Sequence, residues 1–258
     1  MKGGVGRVCL LIKKEFEKRG HEVTIISREE YFGKNKSFFE NYKLIRDFVK
    51  KSGKNYDIIY TQDWSCTLPL FYPIRLFKDK HFCSYHGRHP SEERLATILH
   101  TFVGNKMGNK LLVVGDSLKK RFPKSIINYN GVDRTEFYDL KKKRKYFGWM
   151  KNPFEELTEK EVRKIVKKHG LPLIIPKDIP PEKMNEWYNS LKVFASYPPY
   201  YTGFNLCWLE AKAAGVPIIL GNENGAKISR VNTPSSMKEF TWENNVNVLL
   251  RSFEKCVD

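Results

Sequence analysis

Hydrophobic positions along the chain alternate between the spacing of helices and the short unbroken runs of buried strands. The apolar residues Val5, Val8, Ile12 and Phe16 recur at helical spacing, and the next apolar run has the length of a strand. The first half predicts, in order, a helix over Val5–Arg19, a strand over Val23–Ile26, a helix over Phe38–Lys51, strands at Ile58–Tyr60 and Phe82–Tyr85, a helix over Ser91–Val103 and a strand at Leu111–Val114. This alternation predicts a parallel sheet covered by helices on both faces.

A basic run, Lys141–Lys145, interrupts the pattern and is typical of a linker or a surface turn. The alternation then resumes with a helix over Leu157–Lys168, a strand over Leu171–Ile175, a helix over Pro181–Ser190, a strand over Val193–Ser196, a helix over Leu206–Ala214, a strand over Val216–Leu220 and a last helix over Trp242–Val257. We therefore expect two α/β units in series, of which the first is larger.

The first helix is preceded by a Gly-rich turn at Gly3 and Gly4, with no strand in front of it. In a doubly wound sheet the corresponding strand lies near the centre, where the strand order reverses. Either the polypeptide begins upstream of Met1, or this unit is built unusually.

Composition narrows the class of protein further. No apolar run reaches the roughly 18–20 residues that a membrane-spanning helix needs. The five cysteines form no C-x-x-C pair, which argues against a disulfide framework and against a zinc site. We expect a protein of the reducing cytoplasm.

The net charge of +17 is unevenly distributed, because residues 1–129 carry 25 Lys and Arg against 13 Asp and Glu. Such a surplus favours nucleic acid, an anionic membrane surface or phosphorylated substrates, although a Lys-rich surface can also simply keep a protein in solution. One hypothesis is that the first domain rests peripherally on the inner face of the cell membrane, held there by anionic lipids. A nucleic-acid-binding protein is the remaining alternative, but no nucleic-acid-binding motif accompanies the charge.

Two motifs of the first half could bind a ligand. Gly3 and Gly4 stand directly before a helix, where free N–H groups favour a phosphate, but a plain tight turn fits equally well. His86 follows a predicted strand, and ligands bind at the carboxyl ends of parallel strands. It could hydrogen-bond a sugar, donate a proton, or be a partly buried imidazole with a structural role.

The second half holds the densest motif. The loop over residues 203–206 enters a helix of small residues, so the N–H groups of Gly203, Phe204, Asn205 and Leu206 are expected to meet a diphosphate. Glu210 follows one turn into that helix, where a carboxylate can accept both hydroxyls of a ribose. The turn Asn128–Asp133 is rich in residues that tolerate positive φ and could line a cleft between the domains.

Five ordered landmarks then resemble glycosyltransferase family 4, the glycosyl transferases group 1. They are Gly3-Gly4-Val5-Gly6 with Lys18 to Val23, Tyr56-Asp57-Ile58-Ile59, Ser84-Tyr85-His86-Gly87, Asn130-Gly131-Val132-Asp133 with Phe137, and Gly203-Phe204 through Glu210-Ala211 to Gly215-Val216-Pro217. They span nearly the whole chain, which makes the resemblance far more specific than one motif.

The resemblance implies a GT-B fold, with two Rossmann-like domains facing across a cleft and the first strand of the N-terminal one missing. Expected limits are 1–138 for the acceptor-side domain, 139–240 for a shortened nucleotide-sugar domain, and 241–258 for a helix that packs back on the first. It implies retaining sugar transfer from a nucleotide-diphosphate sugar, most often a UDP- or GDP-sugar, to a carbohydrate or lipid-linked acceptor. No metal and no cofactor are implied.

The resemblance also assigns roles to individual residues. His86, Thr202 and Glu210 take the catalytic positions. The donor-binding positions are Gly3, Gly4, Asn130, Lys151, Gly203, Phe204, Asn205, Leu206 and Glu210. Thr202 stands where the family has a glutamate that touches the transferred sugar, and it cannot supply charge. That substitution motivates a second hypothesis, a non-catalytic homologue that binds nucleotide sugar.

Overall fold

The structure of the 258-residue chain is a computed structural model. It describes residues 4–27, 30–31, 33, 37–87, 94–151, 157–177, 179–198, 204–221, 227, 230 and 237–254. None of the described helices is long and apolar enough to cross a membrane.

The chain divides into two compact units. Unit 1 comprises Met1–Gly87, Ser91–Tyr129 and Asn245–Asp258, and unit 2 comprises Asn130–Asn244. The functional domain limits 1–138, 139–240 and 241–258 stay a prediction.

Unit 1 contains a parallel four-stranded sheet and its helices. In chain order its elements are helix α1 (Gly4–Glu17), helix α2 (Phe38–Ser52), strand β1 (Ile59–Gln62), helix α3 (Asp63–Phe71), strand β2 (His81–Tyr85), helix α4 (Arg94–Met107), strand β3 (Leu111–Val113), helix α5 (Asp116–Arg121) and strand β4 (Ile126–Ile127). The strands lie in the order β1-β2-β3-β4, with Ile59 opposite His81 and Cys83 opposite Leu111. Strands β2 and β3 are completely buried, as expected of central parallel strands.

Unit 2 contains a second parallel sheet of four strands. Its elements are strand β5 (Tyr146–Trp149), helix α6 (Glu159–His169), strand β6 (Leu173–Ile174), helix α7 (Met184–Ser190), strand β7 (Leu191–Ser196), helix α8 (Leu206–Ala213) and strand β8 (Ile218–Leu220), followed by helix α9 (Trp242–Glu254). The strand order is β6-β5-β7-β8, so the next two strands along the chain lie on opposite sides of β5. This reversal is the mark of a doubly wound sheet.

Helix α6 shows how local sequence sets an element. Thr158 and Glu161 form a reciprocal capping box at its start, and Gly170 ends it with φ 61°, a left-handed conformation that costs glycine little. Val162 and Val166 lie one turn apart on the buried face and pack against Phe147 and Trp149 of β5. The helical spacing of the apolar residues thus explains how α6 covers the sheet.

Helix α9 begins in unit 2, but its residues from Asn245 onward belong to unit 1. There the Phe253 ring stacks on Phe16 of α1 and contacts the rings of Tyr60 and Phe82. The guanidinium of Arg19 donates to the Asn247 side-chain oxygen at 2.7 Å. The end of α9 therefore completes the apolar core of unit 1.

The predicted strand over residues 23–26 is wrong for this structure. The described segment His21–Ser27 forms no ladder with any described strand. A strand needs a neighbour to satisfy its backbone groups, and β1, the nearest strand in sequence, pairs with β2 and with no other described strand. The apolar pattern predicted an extended segment here, but it carries no information about which strand would pair with it.

Candidate functional site

The strand order of unit 2 marks where a ligand would bind. In open parallel sheets, ligands occupy the crevice at the carboxyl ends of the two strands where the order reverses. Here those strands are β5 and β7, which pair directly with Phe147 opposite Val193. Lys151 follows the carboxyl end of β5 and is exposed, while α8 is the helix that follows β7. Both predicted site elements thus belong to the same edge of the sheet.

The entry to α8 presents a helix N-terminus at that edge. Asn205 occupies the cap position with extended backbone angles, φ −75° and ψ 132°, and its side chain makes no capping hydrogen bond. Leu206 is the first helical residue. Unsatisfied N–H groups and the helix dipole make such a terminus favourable for an anion.

Glu210 is buried one turn into α8, with only 6% of its surface exposed. The phenolic O–H of Tyr188, at the end of α7, donates to Glu210 Oε2 at 2.9 Å. A buried carboxylate is costly unless it is hydrogen-bonded, so Tyr188 holds it in place. This arrangement suits a ligand-binding carboxylate, and it equally suits a structural pair that joins two helices.

The Asn130–Asp133 turn packs against the loop before α8. The Asn130 side-chain nitrogen donates to the Phe204 carbonyl at 3.0 Å, and Phe204 is itself buried. The rings of Phe204 and Phe240 stack with centroids 5.4 Å apart and planes inclined by 12°. A Cβ atom on Gly131 would lie 2.3 Å from the Trp242 backbone nitrogen, so only glycine fits there. The structure therefore brings predicted residues Asn130 and Phe204 into direct contact.

Three buried polar atoms around this contact have no hydrogen-bond partner within the described part of the chain: Asn130 Oδ1, Asn205 Nδ2 and Trp208 Nε1. The Trp208 ring packs edge-on against Phe204. Buried unsatisfied groups are rare and each costs about 1–3 kcal/mol. A polar ligand that hydrogen-bonds to these atoms would remove this cost.

A second polar cluster lies in unit 1 at the carboxyl ends of β1 and β2. His86 Nε2 lies 2.6 Å from Gln62 Oε1, and the His86 backbone N–H donates to Asp63 Oδ1 at 3.2 Å. Asp63 has φ 62°, a left-handed conformation that is uncommon outside glycine and is enriched at functional sites.

Burial lowers the pKa of His86 from its ordinary value of 6.5 to about 4. The imidazole is therefore neutral near pH 7. Since its neighbour on Gln62 is the carbonyl oxygen, Nε2 carries the proton and donates it. This leaves Nδ1 as a hydrogen-bond acceptor and makes His86 unsuited to act as a cation.

The remaining predicted site residues are Gly3, Gly4, Thr202 and Gly203. Gly4 is exposed and opens α1. Gly3, Thr202 and Gly203 lie outside the described residues. The described residues contain no group of three or more His, Cys, Asp or Glu side chains that could hold a metal ion.

Sequence reasoning missed Gln62, Asp63 and Tyr188. The first two follow the predicted strand Ile58–Tyr60 directly, so the rule that ligands meet strand ends could have found them. Tyr188 lies within a predicted helix and not at a strand end, so this rule could not have found it. Its contact with Glu210 depends on how α7 packs beside α8.

Comparisons with known proteins support the fold. No protein-family model and no curated protein sequence matches the chain. Among solved structures, AviGT4, a glycosyltransferase involved in avilamycin A biosynthesis, has a TM-score of 0.61 at 11% identity and covers 99% of this chain and 90% of its own. Alr3699/HepE from Anabaena in complex with UDP-glucose has a TM-score of 0.60 at 11% identity, over 99% of this chain and 96% of its own.

A glycosyltransferase from Rickettsia africae ESF-5 has a TM-score of 0.59 at 12% identity, over 100% of this chain and 96% of its own. At such low identity the likeness establishes the fold alone. The chain has the α/β GT-B fold with parallel sheets in Rossmann-like units, and within the described residues no strand precedes α1. The predicted fold class is confirmed.

Proposed function

We propose that this protein transfers a sugar from a nucleotide-diphosphate sugar to an acceptor. The observation that carries the proposal is the buried carboxylate of Glu210, held by Tyr188 one turn inside the helix that starts at the strand-order reversal of unit 2. A carboxylate there can accept hydrogen bonds from both ribose hydroxyls, while the start of the same helix receives the diphosphate. The GT-B fold supports this reading.

Sugar transfer from such a donor depends mainly on electrostatic stabilisation of the leaving nucleoside diphosphate. The nucleoside diphosphate gains negative charge as the glycosidic bond breaks, and the N-terminus of α8 favours that charge. Lys151 at the end of β5 is the candidate cation for the same phosphates. Neutral His86 would accept a hydrogen bond from a hydroxyl of the transferred sugar at Nδ1.

The finer features belong to the proposal as well. They are transfer with retention of configuration, independence of metal, a UDP- or GDP-sugar as donor, and a carbohydrate or lipid-linked acceptor. The resemblance to glycosyltransferase family 4 supports the first two. The anomeric configuration of a product, read from its NMR coupling constants, tests retention, and activity in excess EDTA tests independence of metal.

Donor binding is expected to stabilise the protein. A nucleotide sugar at 100 times its Kd adds about 2.7 kcal/mol to the free energy of unfolding, which corresponds to a rise in melting temperature of roughly 5–11 °C for a chain of this size. We would measure melting temperatures by calorimetry with UDP-, GDP-, ADP- and CDP-sugars, with the matching nucleoside monophosphates as controls.

A shift with one nucleotide-diphosphate sugar, together with sugar transfer in an acceptor screen, is the expected result. No shift with any of the four would contradict the proposal. A shift without product in the same screen would instead favour the non-catalytic homologue that Thr202 suggests.

A further inference from the structure

Exposed apolar side chains are concentrated on one part of unit 1. Within the described residues, nine large apolar side chains are at least 44% exposed, and six of them lie in α2, in the segment that follows α3 or in α4. These six, which we call the apolar band, are Phe39, Tyr72, Ile74, Leu95, Ile98 and Phe102. A large contiguous apolar patch on a protein surface usually marks a binding site, so the arrangement of the six side chains matters.

Helix α4 carries apolar residues on two faces. One face is buried through Val103 and Met107. The other exposes Leu95, Ile98 and Phe102, whose spacing of three and four residues places them in one stripe. A helix face in contact with water normally carries polar residues. The outer stripe of α4 is therefore suited to a partner and not to solvent.

The segment after α3 continues this stripe and is held in place. The Phe71 and Phe102 rings meet edge to face with centroids 6.1 Å apart, which joins the end of α3 to α4. The buried guanidinium of Arg46 donates to the Tyr72 and Ile74 carbonyls at 2.7 and 3.1 Å. These charge-assisted hydrogen bonds fix the backbone of the segment, so its apolar side chains stay exposed and do not fold onto the core.

Helix α2 joins the band at its N-terminal end. The Tyr42 O–H donates to the Tyr72 carbonyl, and Phe39, which is 81% exposed, lies one turn before Tyr42 on the same helix. The apolar band therefore runs from the start of α2, through the segment after α3, to the outer stripe of α4.

Cations accompany the apolar side chains. Exposed basic residues lie one turn away from three of them along the helices: Lys43 from Phe39, Arg94 from Ile98, and Lys106 from Phe102. Together, α2, residues 72–80 and α4 carry nine Lys and Arg against three Asp and Glu. The surface thus combines apolar side chains with a surplus of positive charge.

Charge and exposure decide between the occupants of this surface. A second copy of the chain has the same net charge of +17 and would be repelled. A protein partner needs a surface of matching shape at the core of the interface. A bilayer has no such requirement, because it takes exposed apolar side chains into its acyl boundary and attracts cations with its anionic headgroups. The observations therefore favour an anionic bilayer.

We infer that the apolar band is a membrane-docking surface. It places Tyr72, Ile74 and the outer stripe of α4 at the boundary between the headgroups and acyl chains of an anionic bilayer, while Lys43 and Lys106 contact the headgroup phosphates. The positive charge alone would attract any polyanion, and the apolar side chains between the cations select a lipid layer. The inference is independent of the proposed sugar transfer, because vesicle binding is measured without donor or acceptor.

Flotation of the 258-residue chain with lipid vesicles tests the inference. The vesicles contain phosphatidylcholine alone or with about 30% phosphatidylglycerol, at an ionic strength of about 0.15 M. We expect binding to the anionic vesicles to be at least about tenfold tighter than binding to the neutral ones.

A first pair of variants tests the apolar contribution. Ile74→Ser combined with Ile98→Ser is expected to weaken binding to the anionic vesicles at least about 100-fold. Leu10→Ser combined with Tyr138→Ser is the matched control, because these side chains are 48% and 49% exposed and lie outside the band. We expect the control to change binding less than about twofold. All four side chains are exposed, so both variants are expected to keep the fold.

A second pair of variants tests the charge. Lys43→Gln combined with Lys106→Gln is expected to weaken binding about 25-fold, since each basic residue near an anionic surface contributes about fivefold. Lys142→Gln combined with Lys143→Gln makes the same change in net charge within the exposed basic run of unit 2. We expect this control to weaken binding less than about threefold, because salt screens charges that do not contact the surface.

Four results would overturn the inference. They are no binding to the anionic vesicles, equally tight binding to the neutral ones, equal losses in either variant and its control, and a dimer in sedimentation velocity that Ile74→Ser with Ile98→Ser dissociates. The last result would show that the apolar band is an interface between two copies of the chain.

Discussion

Glu210→Gln is expected to lower kcat/KM for the preferred nucleotide sugar by about 100-fold, or roughly 2.7 kcal/mol. The glutamine amide offers one oxygen acceptor where the carboxylate offers two, and it loses the charge that strengthens each bond to a ribose hydroxyl. Hydrogen bonds to charged groups contribute about 1.5–3 kcal/mol each, so the loss of one and the weakening of another give this magnitude. Initial rates at varied donor concentration measure it.

Tyr188→Phe is the matched control. It removes the O–H that donates to Glu210 Oε2 but leaves the carboxylate in place. We expect it to lower the free energy of unfolding by about 1–3 kcal/mol with little change in kcat/KM at temperatures where the variant is folded. If Glu210→Gln behaves in the same way, with lower stability and unchanged kcat/KM, then Glu210 has a structural role and the donor assignment fails.

Gly131→Ala is expected to lower the free energy of unfolding by about 3 kcal/mol. The added Cβ would lie 2.3 Å from the Trp242 nitrogen and 2.5 Å from the Thr241 carbonyl carbon. Both are backbone atoms, so the contact can be relieved only if the turn and the start of α9 move apart. Chemical denaturation monitored by tryptophan fluorescence measures the change.

Gly148→Ala provides the comparison within the same unit. Its added Cβ would meet the Leu191 side chain at 2.3 Å, and a side chain can change rotamer where a backbone cannot. We expect this variant to lose about 1 kcal/mol, at the low end of the cost of overpacking. Equal losses of unfolding free energy in the two variants would contradict this expectation. They would show that the backbone around Gly131 shifts at no greater cost than a change of the Leu191 rotamer.

The sequence could predict those elements of the fold that depend only on the local spacing of apolar residues. The helical spacing of Val8, Ile12 and Phe16 predicted α1, and all three are buried. The apolar runs predicted β2 and β3, which are buried on both faces. The segment 23–26 has the same kind of pattern, but a strand also needs a partner, and pattern alone carries no information about pairing.

The same distinction between local sequence pattern and tertiary structure applies to the candidate site. Glu210 could be predicted because its spacing from the loop over residues 203–206 places it one turn inside a helix. The contact of Asn130 with Phe204 could not, since 74 residues separate them and only the tertiary fold brings them together. The same holds for Tyr188, whose O–H meets Glu210 across two helices. The neutral state of His86 likewise depends on burial, which its position after β2 does not reveal.

A crystal structure of the protein with bound UDP-glucose or the donor found in the thermal screen tests the central claim most directly. The account predicts both ribose hydroxyls within about 2.5–3.2 Å of the Glu210 carboxylate oxygens and the diphosphate at the start of α8. A nucleotide bound elsewhere, with the Glu210 carboxylate still occupied only by protein groups such as the Tyr188 hydroxyl, would contradict it.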